Sequence, residues 1–416
     1  MKQSILPFKT RKDAPKDEVS LNAKLLIQAG FIHKEMAGVY SYLPLGLRVI
    51  EKIKGIIRNE METLGASEVS LTALQDKTLW EKTGRWDDEV VDNWFKTTLK
   101  SGGELGLGFS HEEPLTALLR DHVSSYKDLP FSIFQFQTKF RNELRAKSGI
   151  MRGREFLMKD LYSFSTTDEE HAAFYDRVKN AYVRIFDKVG LGEVTFPTYA
   201  TGGSFSKFSL EFQTITSSGE DTIYVDREKK VAINKEILSD ERCAELGLDR
   251  ENLEEVTTVE VGNIFNLGTK FSEPLGLVYK DEAGNRIPSV MGCYGIGLGR
   301  LMGTIAEVFA DEKGLVWPKS VAPFDVHLVA LPDAEGTVMA AAEVIYETLS
   351  AKMPIMFDDR AVSVGAKLAD ADLIGIPTRI VIGAKSLVEG NVEITDRKSG
   401  ETTTVALSEI LNYLHG

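Results

Sequence analysis

Cysteine is scarce: Cys243 and Cys293 are the only two in 416 residues. Two thiols cannot build a disulfide framework or a four-cysteine zinc site, and they suit a reducing cytoplasm. Long apolar runs are missing as well. None reaches the ~18 residues that a membrane-spanning helix needs. The opening MKQSILPFKTRKDAPKDEVS has no extended apolar core and no small-residue cleavage site, so it does not read as a secretory leader. Positive charge is in deficit, with 49 Lys and Arg against 62 Asp and Glu, a net charge of −13. That argues against a non-specific nucleic-acid coat and leaves room for an enzyme with a local basic cleft. What is present is ordinary for a globular protein, 43% hydrophobic and 27% charged, in a length that predicts two to four domains.

Hydrophobic spacing divides the chain. Residues 20–43 carry small, apolar and charged residues at helical spacing. Leu47, Ile50, Ile53, Ile56, Ile57, Met61 and Leu64 then mark one face of a long helix that stops at Gly65, with a strand from Val69. Residues 131–141 and 154–164 predict two strands of a long-looped antiparallel hairpin, and residues 168–189 a helix. Residues 200–209 form a Gly/Ser-rich loop, and the polar residues 225–256 a small helical excursion. Strands follow near 257–267, 275–280 and 288–295, the last turning at Gly295–Gly299 into a helix over 300–309. The proline-flanked stretch 316–324 reads as a linker. Alternating strand and helix then predicts a compact α/β domain with a largely parallel sheet.

Candidate chemistry clusters on the hairpin and around it. Seven basic residues (Lys139, Arg141, Arg145, Lys147, Arg152, Arg154 and Lys159) face two glutamates between positions 139 and 159 of this acidic chain. With a strand period of two, Arg141 and Glu143 share a face. The pair fits a structural ion pair. It fits a ligand site equally: Arg presents a planar fork to phosphate or carboxylate, and Glu accepts from an amino group such as that of adenine. Arg152 would clamp further phosphate oxygens, and Phe156 would stack on a purine. Gly295-Ile-Gly-Leu-Gly-Arg300 is no dinucleotide fingerprint, because its glycines alternate and no βαβ unit surrounds it. It fits tight helix–sheet packing, and Arg300 directly after the last glycine favours a phosphate contact. Ser110 and Glu112 are suited to a small ammonium group. His111 has no partner histidine at metal-ligand spacing, and Cys293 reads as a small buried residue in a packed strand.

In order, these pieces resemble motifs 1, 2 and 3 of the class II aminoacyl-tRNA synthetases. Within that class, AGVYSYLPLGLRVIEKI (37–53), SHEEP (110–114), QTKFRNELRAKSGIMRGREFLMKDLYSF (137–164), EVGNIFNLGTKFSE (260–273), MGCYGIGLGRLMG (291–303) and DADLIGIPTRIVIG (370–383) are similar to the bacterial prolyl family. The resemblance implies an α+β catalytic domain over 1–318, a mostly antiparallel sheet flanked by helices. An α/β anticodon-binding domain over 323–416 follows. Motif 1 falls at about 45–75, motif 2 at about 131–164 and motif 3 at about 288–309. It implies a proline–tRNA ligase activity using ATP, L-proline and tRNA(Pro), with Mg²⁺ riding on ATP and no protein zinc site. Arg141 and Arg300 become the catalytic residues. ATP falls to Arg141, Glu143, Arg152, Phe156 and Arg300. Proline falls to Ser110, Glu112, Arg141, Asp160, Phe212, Asn263 and Phe265, and the anticodon to Arg360 and Lys367. The motif 1 helix would bury its apolar face in a homodimer, in the cytoplasm.

Departures from the family pattern are specific. Only residues 224–259 stand where long bacterial members carry an editing domain, which predicts no hydrolysis of mischarged tRNA in cis. Thr72 replaces the proline that ends motif 1, and Leu210 and Asn263 replace two family histidines. A threonyl enzyme would need a Cys/His zinc site, which the two cysteines do not form. The alternative from another class is a catalytically silent synthetase-like RNA/DNA-binding or accessory subunit, which would lack the ATP arginines.

Overall fold

The computed structural model describes residues 1–144, 148–203, 205 and 208–415. The chain packs as two compact units. One takes Met1–Lys34, Ser41–Lys52 and Ile305–Gly416, the other Glu35–Tyr40 and Ile53–Thr304.

Helix α1 (Pro44–Thr63) is the long amphipathic helix the sequence predicts, opening on a proline that the first helical turn tolerates. Its stripe of Val49, Ile50, Ile53, Ile57 and Met61 is buried by the chain itself. Of the same predicted face, Leu47 stays exposed and Ile56 half-buried, so only these two are left for the expected contact with a second copy. The helical reading of residues 20–43 holds only over Leu21–Gln28. Gly30 and Gly38 have left-handed backbone, and between and beyond them Ile32–Met36 pairs with Val39–Tyr42 as a hairpin.

The larger unit is built on a nine-stranded sheet. In chain order its strands and helices are β1 (Ser67–Glu68), α2 (Glu112–Leu119), β2 (Phe131–Phe140), β3 (Glu155–Ser165), α3 (Asp168–Lys188), β4 (Thr195–Thr201), β5 (Phe208–Ile215), β6 (Asp221–Asp226), β7 (Val231–Asn234), β8 (Glu254–Gly268) and β9 (Val290–Gly297), which runs directly into α4 (Leu298–Phe309). The spatial order is β5-β4-β7-β6-β8-β9-β3-β2-β1, and β5 also pairs with β8. All pairings are antiparallel except β7 with β4 and β1 with β2. Residues 225–256 differ from the expected helical excursion. They complete β6 and form β7 and one short helix, Asp240–Glu245, around a core of Ile233, Cys243 and Leu248.

Strand alternation gives the sheet two different faces. Helix α3 covers one of them. Its Tyr182 and Phe186 pack on Phe212 of β5, and its Phe174 and Tyr175 on Tyr294 of β9. Lys159 of β3 points to this side and donates to the Tyr182 hydroxyl and to the Tyr294 carbonyl oxygen. The residues between these ones in sequence point to the other face.

The smaller unit holds a five-stranded sheet of β10 (Val326–Ala330), β11 (Ile355–Asp358), β12 (Thr378–Ile382), β13 (Asn391–Asp396) and β14 (Thr402–Ala406), in the order β11-β10-β12-β13-β14. The first three are parallel and the last two antiparallel. Helices α5 (Thr337–Ser350) and α6 (Val364–Ile374) pack on it, as the alternating pattern predicts. The chain's first residues join this sheet: the Met1 ammonium donates to the Ile355 carbonyl oxygen at 2.6 Å, and Met1 O accepts from Phe357 N at 2.9 Å. Among the described residues no helix is long and apolar enough to cross a membrane.

Candidate active site

The uncovered face of the large sheet is the floor of a cavity. Lys139 and Arg141 reach it from β2 and its end, Phe156, Met158, Asp160 and Tyr162 from β3, Asn263 and Phe265 from β8, and Cys293, Gly295 and Gly297 from β9. Each set advances by two residues, so the pleat alone assembles them. Pairing register aligns the strands. Asp160 lies opposite Gly295 and Gln135, Phe265 opposite Cys293, and Asn263 opposite Gly295. Gly295 and Gly297 are not forced by packing. A Cβ there would meet nothing closer than Met158 Sδ at 3.6 Å or Arg300 Cβ at 3.5 Å. Their bare backbone keeps the floor open to a ligand.

One end of the cavity is acidic and enclosed. Glu112, in the first turn of α2, is fully buried. It accepts from the Ser110 hydroxyl and, at 3.1 Å, from Cys293 Sγ. Burial alone would push its carboxyl up. Arg85 and the donors from Ser110 and Cys293 outweigh that and hold it ionised. Asp160 accepts from Gln135 Nε2, Lys139 Nζ and the Tyr162 hydroxyl at 2.8–2.9 Å through Oδ2, while its Oδ1 has no partner. Burial again opposes the charge, and Lys139, with the hydrogen bonds from Lys139 and Gln135, overcomes it. His111 is structural. It is fully buried between the Thr72 carbonyl oxygen and Lys139, and burial together with Lys139 lowers it to about 4, so it is neutral. An unpartnered carboxylate oxygen beside a second buried carboxylate suits a small cation.

The other end is basic. Arg141 lies 4.9 Å from the Phe109 ring and 5.5 Å from the Phe156 ring. Its Nε is buried without a partner, and among the described residues it forms no ion pair. Burial and then Arg300 act against its charge. Arg300, in the first turn of α4, donates to Met151 O, Glu260 O and Glu260 Oε2 at 2.8–3.1 Å. Arg152 holds Glu143 Oε2 at 2.9 Å and Glu220 Oε2 at 2.6 Å. A guanidinium left unpaired beside two others in one cavity is a site for a multiply charged anion. Glu260 also accepts from Asn263 Nδ2 at 2.9 Å, and Asn263 Oδ1 is buried without a partner. Next to them Glu211, opposite Asn263, is pushed up to about 8 by burial and by Glu260.

Ser110, Glu112, Arg141, Glu143, Arg152, Phe156, Asp160, Asn263, Phe265 and Arg300 thus share one cavity. Phe212 does not. It is fully buried on the other face, because it is one residue out of phase with Glu211. Arg145 and Lys147 lie outside the described residues. In the smaller unit, Lys367 is fully buried and donates to Asp358 O at 2.9 Å. Arg360 spans Asp358 and Asp370 with bonds of 2.7–2.8 Å. Both were expected at the anticodon. Lys367 is corrected to an internal strut, since its ammonium is spent inside the fold. Sequence reasoning named Lys139 only as one of seven basic residues, with no role, and missed Tyr162, Glu260 and Phe205. Lys139 and Tyr162 continue the alternations of Arg141 and Asp160 and were legible. Glu260 and Phe205 carry no local signal.

Two family descriptions match the chain. One is the "tRNA synthetase class II core domain (G, H, P, S and T)" over residues 95–309, and the other the "Anticodon binding domain" over 325–416. A proline–tRNA ligase of Caulobacter vibrioides is 38% identical over 97% of this chain and 96% of its own length. One from Wolbachia sp. subsp. Brugia malayi is 37% identical over 100% and 99%. One from Exiguobacterium sibiricum is 31% identical over 99% and 98%, in an alignment of 560 positions, so that relative carries a long stretch that this chain lacks. The cavity's two ends and these full-length likenesses agree: the chain belongs to the proline–tRNA ligase family of class II aminoacyl-tRNA synthetases.

Proposed function

We propose that this chain joins L-proline to tRNA(Pro) through a prolyl-adenylate made from ATP. The observation that carries this is Arg141. It is an unpaired guanidinium at the junction of an acidic pocket fit for an ammonium and a basic pocket fit for phosphates.

Proline's ring nitrogen, protonated at neutral pH, lies between Glu112 and the free Oδ1 of Asp160, with Ser110 and Asn263 beside it and Phe265 against the ring. Phe205, 4.9 Å from Phe265 by ring centroids, takes the walling role that Phe212 cannot. The proline carboxylate then faces Arg141. ATP lies along the basic end, with adenine on Phe156 and its amino group on Glu143. Arg152 exchanges one of its carboxylates for the terminal phosphates, and Arg300 meets them from the other side. The carboxylate displaces pyrophosphate from the α-phosphorus in line. No protein nucleophile is required: positioning and charge neutralisation by Arg141 and Arg300 lower the barrier. A ribose hydroxyl of the tRNA's terminal adenosine then attacks the prolyl carbonyl, forming the ester as AMP leaves.

The donor set near Arg300 is all oxygen, with Glu260 and Glu211 crowded enough to raise Glu211. It fits a hard cation. Among the described residues no cluster of acidic, His or Cys side chains holds a metal alone. Mg²⁺ would therefore sit on ATP oxygens with Glu260 and Glu211 nearby, where it offsets phosphate charge. The short segment of β6, β7 and the Asp240–Glu245 helix has no room for a second catalytic domain, so the reading includes no hydrolysis of alanyl-tRNA(Pro). The two free thiols support a cytoplasmic setting. The reading takes a second copy of the chain as a partner, as the resemblance of residues 45–75 to the family's motif 1 implies.

The test is charging of a tRNA(Pro) transcript by the purified protein. Proline incorporation dependent on ATP is expected, with pre-formed alanyl-tRNA(Pro) left intact. Absence of charging by folded, ATP-binding protein would refute the function, and rapid loss of alanine would refute the missing proofreading.

A further inference from the structure

Behind the acidic pocket lies a charge cluster that the proposed reaction does not use. Arg85 is almost fully buried, with its guanidinium 4.7 Å from the Trp80 ring, 4.9 Å from Phe205 and 5.3 Å from Phe271. Its NH1 reaches Glu113 at 3.0 Å and Glu112 at 3.4 Å, and its Nε and NH2 have no partner. Glu113 is fully buried and also accepts from the Thr83 hydroxyl at 2.9 Å. One cation thus serves two carboxylates that water does not reach. With Arg85 given wholly to Glu112, the wall of the pocket would be neutral. Shared with Glu113, it leaves a net negative charge.

We propose that Glu113 is a positioning residue for amino-acid binding: by drawing Arg85 away from Glu112, it leaves Glu112 the negative charge that holds the substrate's ammonium. This rests on the reading that Glu112 is the ammonium's partner. The geometry favours it, because Arg85 is closer to Glu113 than to Glu112 and stacks on rings that fix it in place. Burial also pushes Glu113 up to about 7, so its charge is poised and is favoured when a cation binds nearby.

The test compares L-proline with tetrahydrofuroate, which keeps the five-membered ring and the carboxylate but lacks the cation. Affinities of both are measured in the intact protein. In Glu113→Gln the preference for proline is expected to fall about tenfold, with the KM for ATP unchanged. A merely structural role would weaken both ligands alike. An unchanged preference in Glu113→Gln, with Glu112→Gln collapsing it, overturns the proposal. An unchanged preference in Glu112→Gln overturns the reading on which it rests. Should Glu113→Gln fail to fold, the wild-type protein carries the test, because proline preference then falls from pH 8 to pH 6 as Glu113 is protonated. A constant preference overturns the proposal. Glu113 faces Arg85, Glu112, Thr83 and Lys270, and Glu112 faces Arg85, Ser110, His111, Lys139, Arg141, Tyr162 and Cys293. His111 lies near 4, outside this range, and Glu211 near 8 at the ATP end, where its titration is read in the KM for ATP. Lys159, near 7 and close enough to act on Asp160 and Cys293, falls inside the range, so the pH series is repeated in Lys159→Met, where the fall is expected to persist and its loss overturns the proposal.

Discussion

Arg141→Gln should make the ligand-free protein more stable while removing its activity. Among the described residues Arg141 makes no ion pair and its Nε has no acceptor, and Arg300 lies close enough to act against its charge. Its replacement loses two cation–π contacts, with Phe109 and Phe156, worth about 0.5–1 kcal/mol each. It relieves an unsatisfied buried donor, worth about 1–3 kcal/mol, and the repulsion from Arg300. The balance is a gain of about 1 kcal/mol, a rise in Tm of about 2 °C. Activity moves the other way. One donor aimed at developing charge is worth about 10²–10³ in kcat, and a charged fork at least that. Thermal unfolding without ligand and ATP–pyrophosphate exchange are the paired assays. A variant that melts lower than the parent and still exchanges would show that Arg141 serves the fold and not the reaction.

Two further variants test the packing, one beneath the site and one in the smaller unit. Lys159 is fully buried and, among the described residues, has no carboxylate within ion-pair distance, and burial lowers it from 10.5 to about 7. The unfolded chain therefore binds this proton more tightly, and the residue costs about 4 kcal/mol at pH 7. Lys159→Met leaves the Tyr294 carbonyl and Tyr182 hydroxyl short of a donor, about 1–2 kcal/mol. Denaturant melts should show a net gain of about 2 kcal/mol at pH 7 and below that shrinks as pH rises and turns into a loss of about 1 kcal/mol near pH 10.5. A pH-independent difference would contradict the assignment. Gly46→Ala would place a Cβ 2.1 Å from Phe31 O, a rigid neighbour. A loss of about 1–3 kcal/mol is expected in the same melts, and a neutral result would contradict that packing.

Much of the site was legible because it is local. Arg141, Glu143, Arg152 and Phe156 belong to one hairpin: alternation carried past the strand ends places Arg141 and Phe156, and the connecting loop brings Glu143 and Arg152 beside them. The glycines before Arg300 announced an open backbone. The acidic pocket was only half legible. Ser110 and Glu112 show in the sequence, whereas Arg85 reaches them from a loop 27 residues away with no motif to mark it. Phe212 shows the opposite failure: a residue correct in type and neighbourhood faces the wrong side, because phase within β5 is set by pairing with β8. Lys367 shows another, since a lysine at a suggestive position is neutralised inside the fold by Asp358. The hairpin over Ile32–Tyr42 was hidden because residues 20–43 have a helical period that two glycines interrupt.

The central claim is that the cavity activates proline. Its most direct test is amino-acid-dependent ATP–pyrophosphate exchange with proline, alanine, threonine and cysteine in parallel. Strong exchange with proline, lost in Arg141→Gln, is the expected result and would show that Leu210 and Asn263 are workable replacements for the family's histidines. Exchange with none of the four, in folded protein that still binds ATP, would contradict the account.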